Sequence, residues 1–263
     1  MGLAIKTKSD SSMLKPKPVK KILVSQPKPD TEKSPYFDLA KKYKLQIDFR
    51  PFIYVEGIES KDFRKTRINI LEHTGVILTS RNAIDHFFRV CNDLRIEIPP
   101  TMKYFCISEA IALYLQKYIQ YRKRKVFFGK QTTAELLELI KKHSEEKFIF
   151  PCSDIHKTEI PDFFEKNHLT ITEAIIYKTL ASNLSDIKKI EYDMIAFFSP
   201  SGIKSLFKNF PDFQQNDVRI AAFGPTSQKA VFDSGLRLDV QAPMPNAPSM
   251  TMAIEQYIRK YNK

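Results

Sequence analysis

Short apolar runs alternate with helix-length amphipathic segments along almost the whole chain. The runs predict strands over 22–25, 46–52, 76–79, 103–107, 126–128, 148–151, 170–177, 193–199, 218–223 and 237–241. The segments between them predict helices over 34–44, 60–72, 81–91, 109–119, 132–144, 156–166, 201–209, 226–234 and 247–261. Such βαβα alternation calls for parallel sheets with helices on both faces. Ten strands in 263 residues suit two sheets of about five better than one wide sheet.

An internal similarity supports that division. Ile77-Leu78-Thr79-Ser80-Arg81-Asn82-Ala83-Ile84 is similar to Ala196-Phe197-Phe198-Ser199-Pro200-Ser201-Gly202-Ile203. In each, an apolar strand ends in Ser and a helix opens on small or polar residues. A second strand-to-helix step follows in both halves, at 104–112 and 221–230. Two copies of one half-fold account for the spacing, although apolar strands also resemble one another by chance.

Composition narrows the class. No run approaches the roughly 18 apolar residues of a membrane span, and the lysine-rich N-terminus has no apolar core of a secretory signal. A soluble, cytoplasmic protein is expected. Three scattered cysteines, Cys91, Cys106 and Cys152, include no CxxC pair and predict reduced thiols rather than a disulfide or zinc framework. The five histidines show no ligand spacing, so no metal is expected.

Charge is unevenly spread. Of the net +12, residues 1–21 hold +5 and the remainder +7. Residues 1–20 read as a basic flexible tail. A second basic run is Tyr121-Arg122-Lys123-Arg124-Lys125, expected just beyond a helix end. Aromatic residues are not interleaved with these bases as a stacking platform needs, which speaks against nucleic acid as the partner. A positive field also suits a small polyanion.

Three loops carry candidate chemistry. Ser199-Pro200-Ser201-Gly202 ends a strand and starts a helix, where first-turn N–H groups lack helical partners and the dipole is positive. Gly224-Pro225-Thr226-Ser227 repeats the arrangement. Each can seat a carboxylate or phosphate; taken singly, each reads first as a plain N-cap with Pro at the first helical position. Ligands in open α/β sheets gather at this carboxyl edge. Ser80-Arg81-Asn82 holds the corresponding place in the other half, with Arg81 as a permanently charged donor. Tyr177 closes a strand; its phenol is protonated at neutral pH and can donate, or it simply packs. No GxGxxG, GxxxxGK[ST] or GxSxG occurs among the seven glycines, so no cofactor is expected.

Taken together, these segments resemble the uroporphyrinogen-III synthase family. The matches are Phe150-Pro151-Cys152-Ser153-Asp154, Ile175-Ile176-Tyr177-Lys178-Thr179, Phe197 to Gly202 and Ala221 to Ser227. Weaker ones are Leu78-Thr79-Ser80-Arg81-Asn82-Ala83, Gly235-Leu236 and Ala247-Pro248-Ser249-Met250. Ile107 and Ala110 depart from the family's usual Gly and Thr. The resemblance implies two flavodoxin-like lobes joined by a two-strand linker, with a substrate cleft between the lobes. One lobe would be 21–53 plus 179–263, the other 54–178. It also implies a cofactor-free lyase. The substrate would be hydroxymethylbilane, a linear tetrapyrrole with eight carboxylates. It would lose water, invert its last ring and close to uroporphyrinogen III in haem biosynthesis. Tyr177 would assist the departing hydroxyl. Ser80, Arg81, Asn82, Ser199, Pro200, Ser201, Gly202, Gly224, Thr226 and Ser227 would bind substrate. A monomer is expected. The alternative is a non-catalytic anion- or tetrapyrrole-binding regulatory module of the same fold.

Overall fold

A computed structural model describes residues 18–130, 132–187 and 189–262. The chain divides into two compact units. One takes the described residues up to Tyr54 and from Ala181 onward; the other is Val55–Leu180.

The first unit carries a five-stranded sheet. Its strands are β1 (Lys21–Val24), β2 (Gln46–Phe49), β9 (Met194–Phe197), β10 (Arg219–Phe223) and β11 (Val240–Ala242). They lie in the order β11-β10-β9-β1-β2, and every pairing is parallel. Helices α1 (Pro35–Tyr43), α7 (Pro200–Asn209), α8 (Pro225–Asp233) and α9 (Met250–Tyr261) cover it. Met194–Phe197 is buried at every position, as a central parallel strand with helices on both faces requires. Ile22, Val24 and Ala196 face one apolar cluster with Ile254. Leu23, Ile195 and Phe197 face the other with Ile203 and Val231.

The second unit holds six strands: β3 (Ile53–Gly57), β4 (Gly75–Leu78), β5 (Lys103–Cys106), β6 (Val126–Phe128), β7 (Phe148–Ser153) and β8 (Ile171–Ala181). Their order is β3-β8-β7-β4-β5-β6. Strands β4 to β8 pair in parallel. The flanking bonds from Ser182 N–H to Phe52 O and from Ile58 N–H to Ile176 O run β3 antiparallel to β8. These two strands are the links through which the chain passes from one unit to the other. Helices α2 (Ser60–Lys65), α3 (Arg81–Asp93), α4 (Glu109–Tyr114), α5 (Thr133–Lys141) and α6 (Glu159–Lys166) complete the unit.

Several expected spans change. The strand expected to close at Tyr177 runs on to Ala181, so Tyr177 lies within it, and the helix expected over 109–119 stops at Tyr114 and passes into a 3-10 turn. The strand expected over 46–52 ends at Phe49, and a separate strand begins after it. Pro51 supplies no N–H, and the ladder to β1 ends at Arg50 N–H on Val24 O, so the chain turns and Ile53 begins β3. The helix expected over 60–72 stops at Lys65; Arg67 is left-handed at φ 59°, and Asn69 caps a separate 3-10 turn. Of the expected tail, residues 1–17 lie outside the described residues. Val19 already belongs to the folded body: it is buried and exchanges two hydrogen bonds with the Asn262 side chain, at 2.8 and 2.7 Å. No described helix is long and apolar enough to cross a membrane.

Candidate functional site: capped helix starts and a re-aimed tyrosine

Every parallel strand runs to the same edge of its sheet, so the loops beyond Leu78 and Ser153 gather beside Tyr177, within β8, on one unit, and those beyond Phe197 and Phe223 gather on the other.

In the second unit, Ser80 is the N-cap of α3; its Oγ accepts the N–H of Ala83 at 3.0 Å. That bond and Ile84 N–H on Ser80 O leave the N–H groups of Arg81 and Asn82 as the helix's orphan donors. Both side chains are exposed. The Arg81 guanidinium lies 5.0 Å from the Tyr114 ring centre, a cation–π contact that orients it without neutralising it.

Tyr177 reaches this helix start through a register shift. Pairing between β7 and β8 runs Phe150–Glu173 and Cys152–Ile175, then Ser153–Tyr177, so β8 carries one extra residue there. Strict alternation would turn Tyr177 to the face of Glu173 and Ile175. The extra residue instead leaves Ile176 and Tyr177 both inward, packed in the cluster of α3. The Tyr177 hydroxyl lies 3.4 Å from Ser80 Oγ, longer than a firm O–H···O bond. Its ring stacks on His86 at 5.3 Å and 25°. Burial raises the phenol above its usual range, so the hydroxyl keeps its proton. His86 is held below its usual range by burial and by Arg89, which favours the neutral ring.

Beyond Tyr177 the chain is clamped. Asp154 N–H donates to Tyr177 O at 3.1 Å. Asp154 Oδ1 accepts from Ser153 Oγ at 2.9 Å and from Thr179 N–H at 3.0 Å. Ser153 Oγ and Thr179 Oγ1 are 3.1 Å apart.

The first unit presents two more helix starts on adjacent strands. Ser199 caps α7, accepting the N–H of Gly202 at 3.2 Å, with Pro200 in the first turn. The bond to Gly202 leaves Ser201 N–H as the orphan donor. Gly202 is buried; a Cβ there would stand 3.4 Å from the Phe197 ring and 3.8 Å from Ser25 Oγ. Gly224 precedes α8 with φ 82°, a backbone that favours glycine, and its N–H bonds to Ala242 O at 2.6 Å. Phe198 stacks on Phe223 at 6.1 Å, tying the two loops together. Thr226 is exposed, whereas Ser227 is 1% exposed and turned into the protein. The hydroxyl expected from Ser227 is therefore not offered to solvent.

Sequence reasoning missed His86 and Gly57. A histidine one and a half turns after the cap gave no signal by itself. Gly57 matters because a Cβ there would lie 2.7 Å from His86 Nδ1 and 2.9 Å from Arg89 Nη2. The basic run 121–125 forms a turn leading into β6. It borders a depression of about 760 Å³ that Tyr104, Tyr118, Arg122 and Lys125 help to line, apart from Ser80 and Tyr177.

Parallel α/β units with capped helix starts at the strand ends, and a protonated phenol beside one of them, define a protein of the open-sheet α/β class. A family model described as uroporphyrinogen-III synthase HemD matches residues 35–252. The chain belongs to the uroporphyrinogen-III synthase family. It is 27% identical over 134 residues to the uroporphyrinogen-III synthase of Saccharomyces cerevisiae, covering 46% of this chain and 49% of that one. It is 25% identical over 122 residues to that of Chlorobaculum parvum, covering 43% and 50%. The chain thus matches about half the length of these curated relatives. Among solved structures, the fold is similar to uroporphyrinogen-III synthetase from Helicobacter pylori. That match has a TM-score of 0.60 and 14% identity, and covers 92% of this chain and 99% of that one. A mutant uroporphyrinogen III synthase from Thermus thermophilus gives a TM-score of 0.57 at 12% identity, with 92% and 99% covered.

Proposed function

We propose that the protein is a uroporphyrinogen-III synthase, a lyase that removes water from hydroxymethylbilane and closes it with the last ring inverted. The observation that carries this reading is the Tyr177 hydroxyl, kept protonated by burial and turned by the β8 irregularity toward the Ser80 cap. A neutral phenol donates to a departing hydroxyl, easing its loss as water; such help is typically worth about 10²–10⁴ in rate. The long contact to Ser80 leaves that proton free to turn toward substrate.

Carboxylates of the substrate are matched by the N–H groups of Arg81, Asn82, Ser201, Thr226 and Ser227, by the Thr226 hydroxyl and by the Arg81 guanidinium. Helix starts suit several dispersed negative charges better than one buried cation, because each donor is fixed by its helix and needs no ordering. The net +12 draws a polyanion in. Holding the chain so that the inverted closure is favoured is a positioning effect. A cytoplasmic site fits Cys91, Cys106 and Cys152, which are free and buried. The protein acts on its small-molecule substrate as a monomer.

Uncatalysed closure gives the type I isomer, so the isomer ratio is the readout. Purified protein supplied with hydroxymethylbilane is expected to yield type III. Type I alone, from protein shown to be folded, would favour the non-catalytic binding reading.

A further inference from the structure

On the face of β7 and β8 opposite the tyrosine, one group of side chains has the composition and closeness of a metal centre. Cys152 on β7, Glu173 on β8 and His156 in the turn before α6 bring Sγ, a carboxylate oxygen and a ring nitrogen all within 4.8 Å of one another. Alternation along β7 sends Phe148, Phe150 and Cys152 to the face covered by Ile160 and Phe164. Glu173, paired beside Phe150 and on the same side of the register shift, shares that face. Tyr177 lies on the other.

The histidine is already posed. Its Nδ1 is 2.8 Å from Ser153 O; a carbonyl only accepts, so Nδ1 carries the proton. The Phe150 ring meets the imidazole edge-on at 5.6 Å. Nε2 is then directed at Glu173 Oε2, 2.6 Å away. A bare nitrogen lone pair and a carboxylate are two acceptors, and they face each other only with something positive between or beside them: a second ring proton or a metal ion. A histidine fixed by a carbonyl on one nitrogen and free to ligate with the other is the outer-shell arrangement found at zinc sites. Among the described residues no lysine or arginine pairs with Glu173. The other His/Glu group, His143, Glu145 and Glu146, differs on this point, because the Lys103 ammonium already bridges both of its carboxylates.

We infer that Cys152, His156 and Glu173 form a binding site for a zinc-class divalent cation, with one position left to water. Thiolate, imidazole and carboxylate together select this class over magnesium or calcium, which take oxygen ligands. Bonds of about 2.0–2.3 Å place tetrahedral ligand atoms roughly 3.5 Å apart, so an ion would be admitted by opening the 2.6 Å Nε2–Oε2 contact and adjusting the remaining donors by on the order of an ångström. Cys152 is 2% exposed, while the side chains of His156 and Glu173 are 21% and 40% exposed, giving the ion a solvent route. Burial and the Glu173 charge push the Cys152 thiol up to about 12. Binding therefore displaces the thiol proton.

The test is titration of the metal-free, reduced full chain with cobalt(II), followed by competition with zinc(II). One equivalent is expected to produce tetrahedral visible bands and a near-ultraviolet thiolate-to-cobalt transition, both removed by zinc. Cys152→Ser should abolish the thiolate transition. His156→Gln and Glu173→Gln, both at partly exposed positions where folding is safe, should each weaken binding at least about tenfold. Absence of the transition in folded protein overturns the site, as does its persistence in Cys152→Ser, which would assign it to Cys91 or Cys106.

Discussion

The Ser80 Oγ lies 3.4 Å from the Tyr177 hydroxyl while accepting the N–H of Ala83 at 3.0 Å. One serine therefore caps α3 and borders the phenol. Removing either hydroxyl should have a separable effect. Tyr177→Phe keeps the ring on His86 and is expected to lower kcat by roughly 10²-fold or more, with little change in KM. Ser80→Ala is expected to cost about 1 kcal/mol of stability through the lost cap, with a smaller loss of kcat. Steady-state kinetics beside denaturant unfolding checks both; an unchanged kcat in Tyr177→Phe would remove the tyrosine from the chemistry.

Gly57 is the position where the smallest change should reach the tyrosine indirectly. A methyl group there meets His86 Nδ1 at 2.7 Å and Arg89 Nη2 at 2.9 Å, and His86 supports the Tyr177 ring. Gly57→Ala is expected to destabilise the second unit by about 1–3 kcal/mol and to lower kcat while the Tyr177 hydroxyl is still present. Wild-type kcat in this variant would mean that the stack does not position the phenol.

Thr226 and Ser227 should behave oppositely although adjacent. Thr226 is exposed at the start of α8 and Ser227 is buried. Thr226→Ala is expected to raise KM several-fold with an unchanged melting temperature. Ser227→Val, which forces a larger apolar group into the packed side of the helix, is expected to lower the melting temperature first. Equal KM changes in two equally stable proteins would contradict the geometry.

Stability should fall at both ends of the pH scale, for different groups. Burial raises the Cys91 and Cys106 thiols from 9.0 to about 12. A raised pKa favours the protonated folded form, so this contribution is whole below pH 9 and is lost as pH rises towards 12. Glu255, bonded to Lys42, Tyr43 and Arg259, is lowered from 4.5 to about 2. Its contribution is whole above 4.5 and is lost as pH falls towards 2. Melting temperature measured against pH should be level between about 6 and 8 and decline beyond each limit; a thermal maximum above pH 10 would contradict the thiol assignment.

Much of the architecture was determined by the sequence alone. Runs such as Met194–Phe197 read as strands buried on both faces, and Ser80 and Ser199 announce helix starts, because capping is decided by residues three or four apart. The alternation of elements predicts the parallel pairings for the same local reason, but not the antiparallel pairing of β3 with β8. What the tertiary structure decided depends on neighbours distant in sequence. Whether Tyr177 faces α3 or the opposite side follows from one extra residue in its register with β7, and no periodicity within β8 encodes that. Ser227 turns inward because α8 lays that face on the sheet. Cys152, His156 and Glu173 follow no ligand spacing along the chain, yet two strands and a turn bring them together. Side-chain direction past an irregularity, and proximity between strands, are properties of pairing, and pairing exists only once the chain has folded.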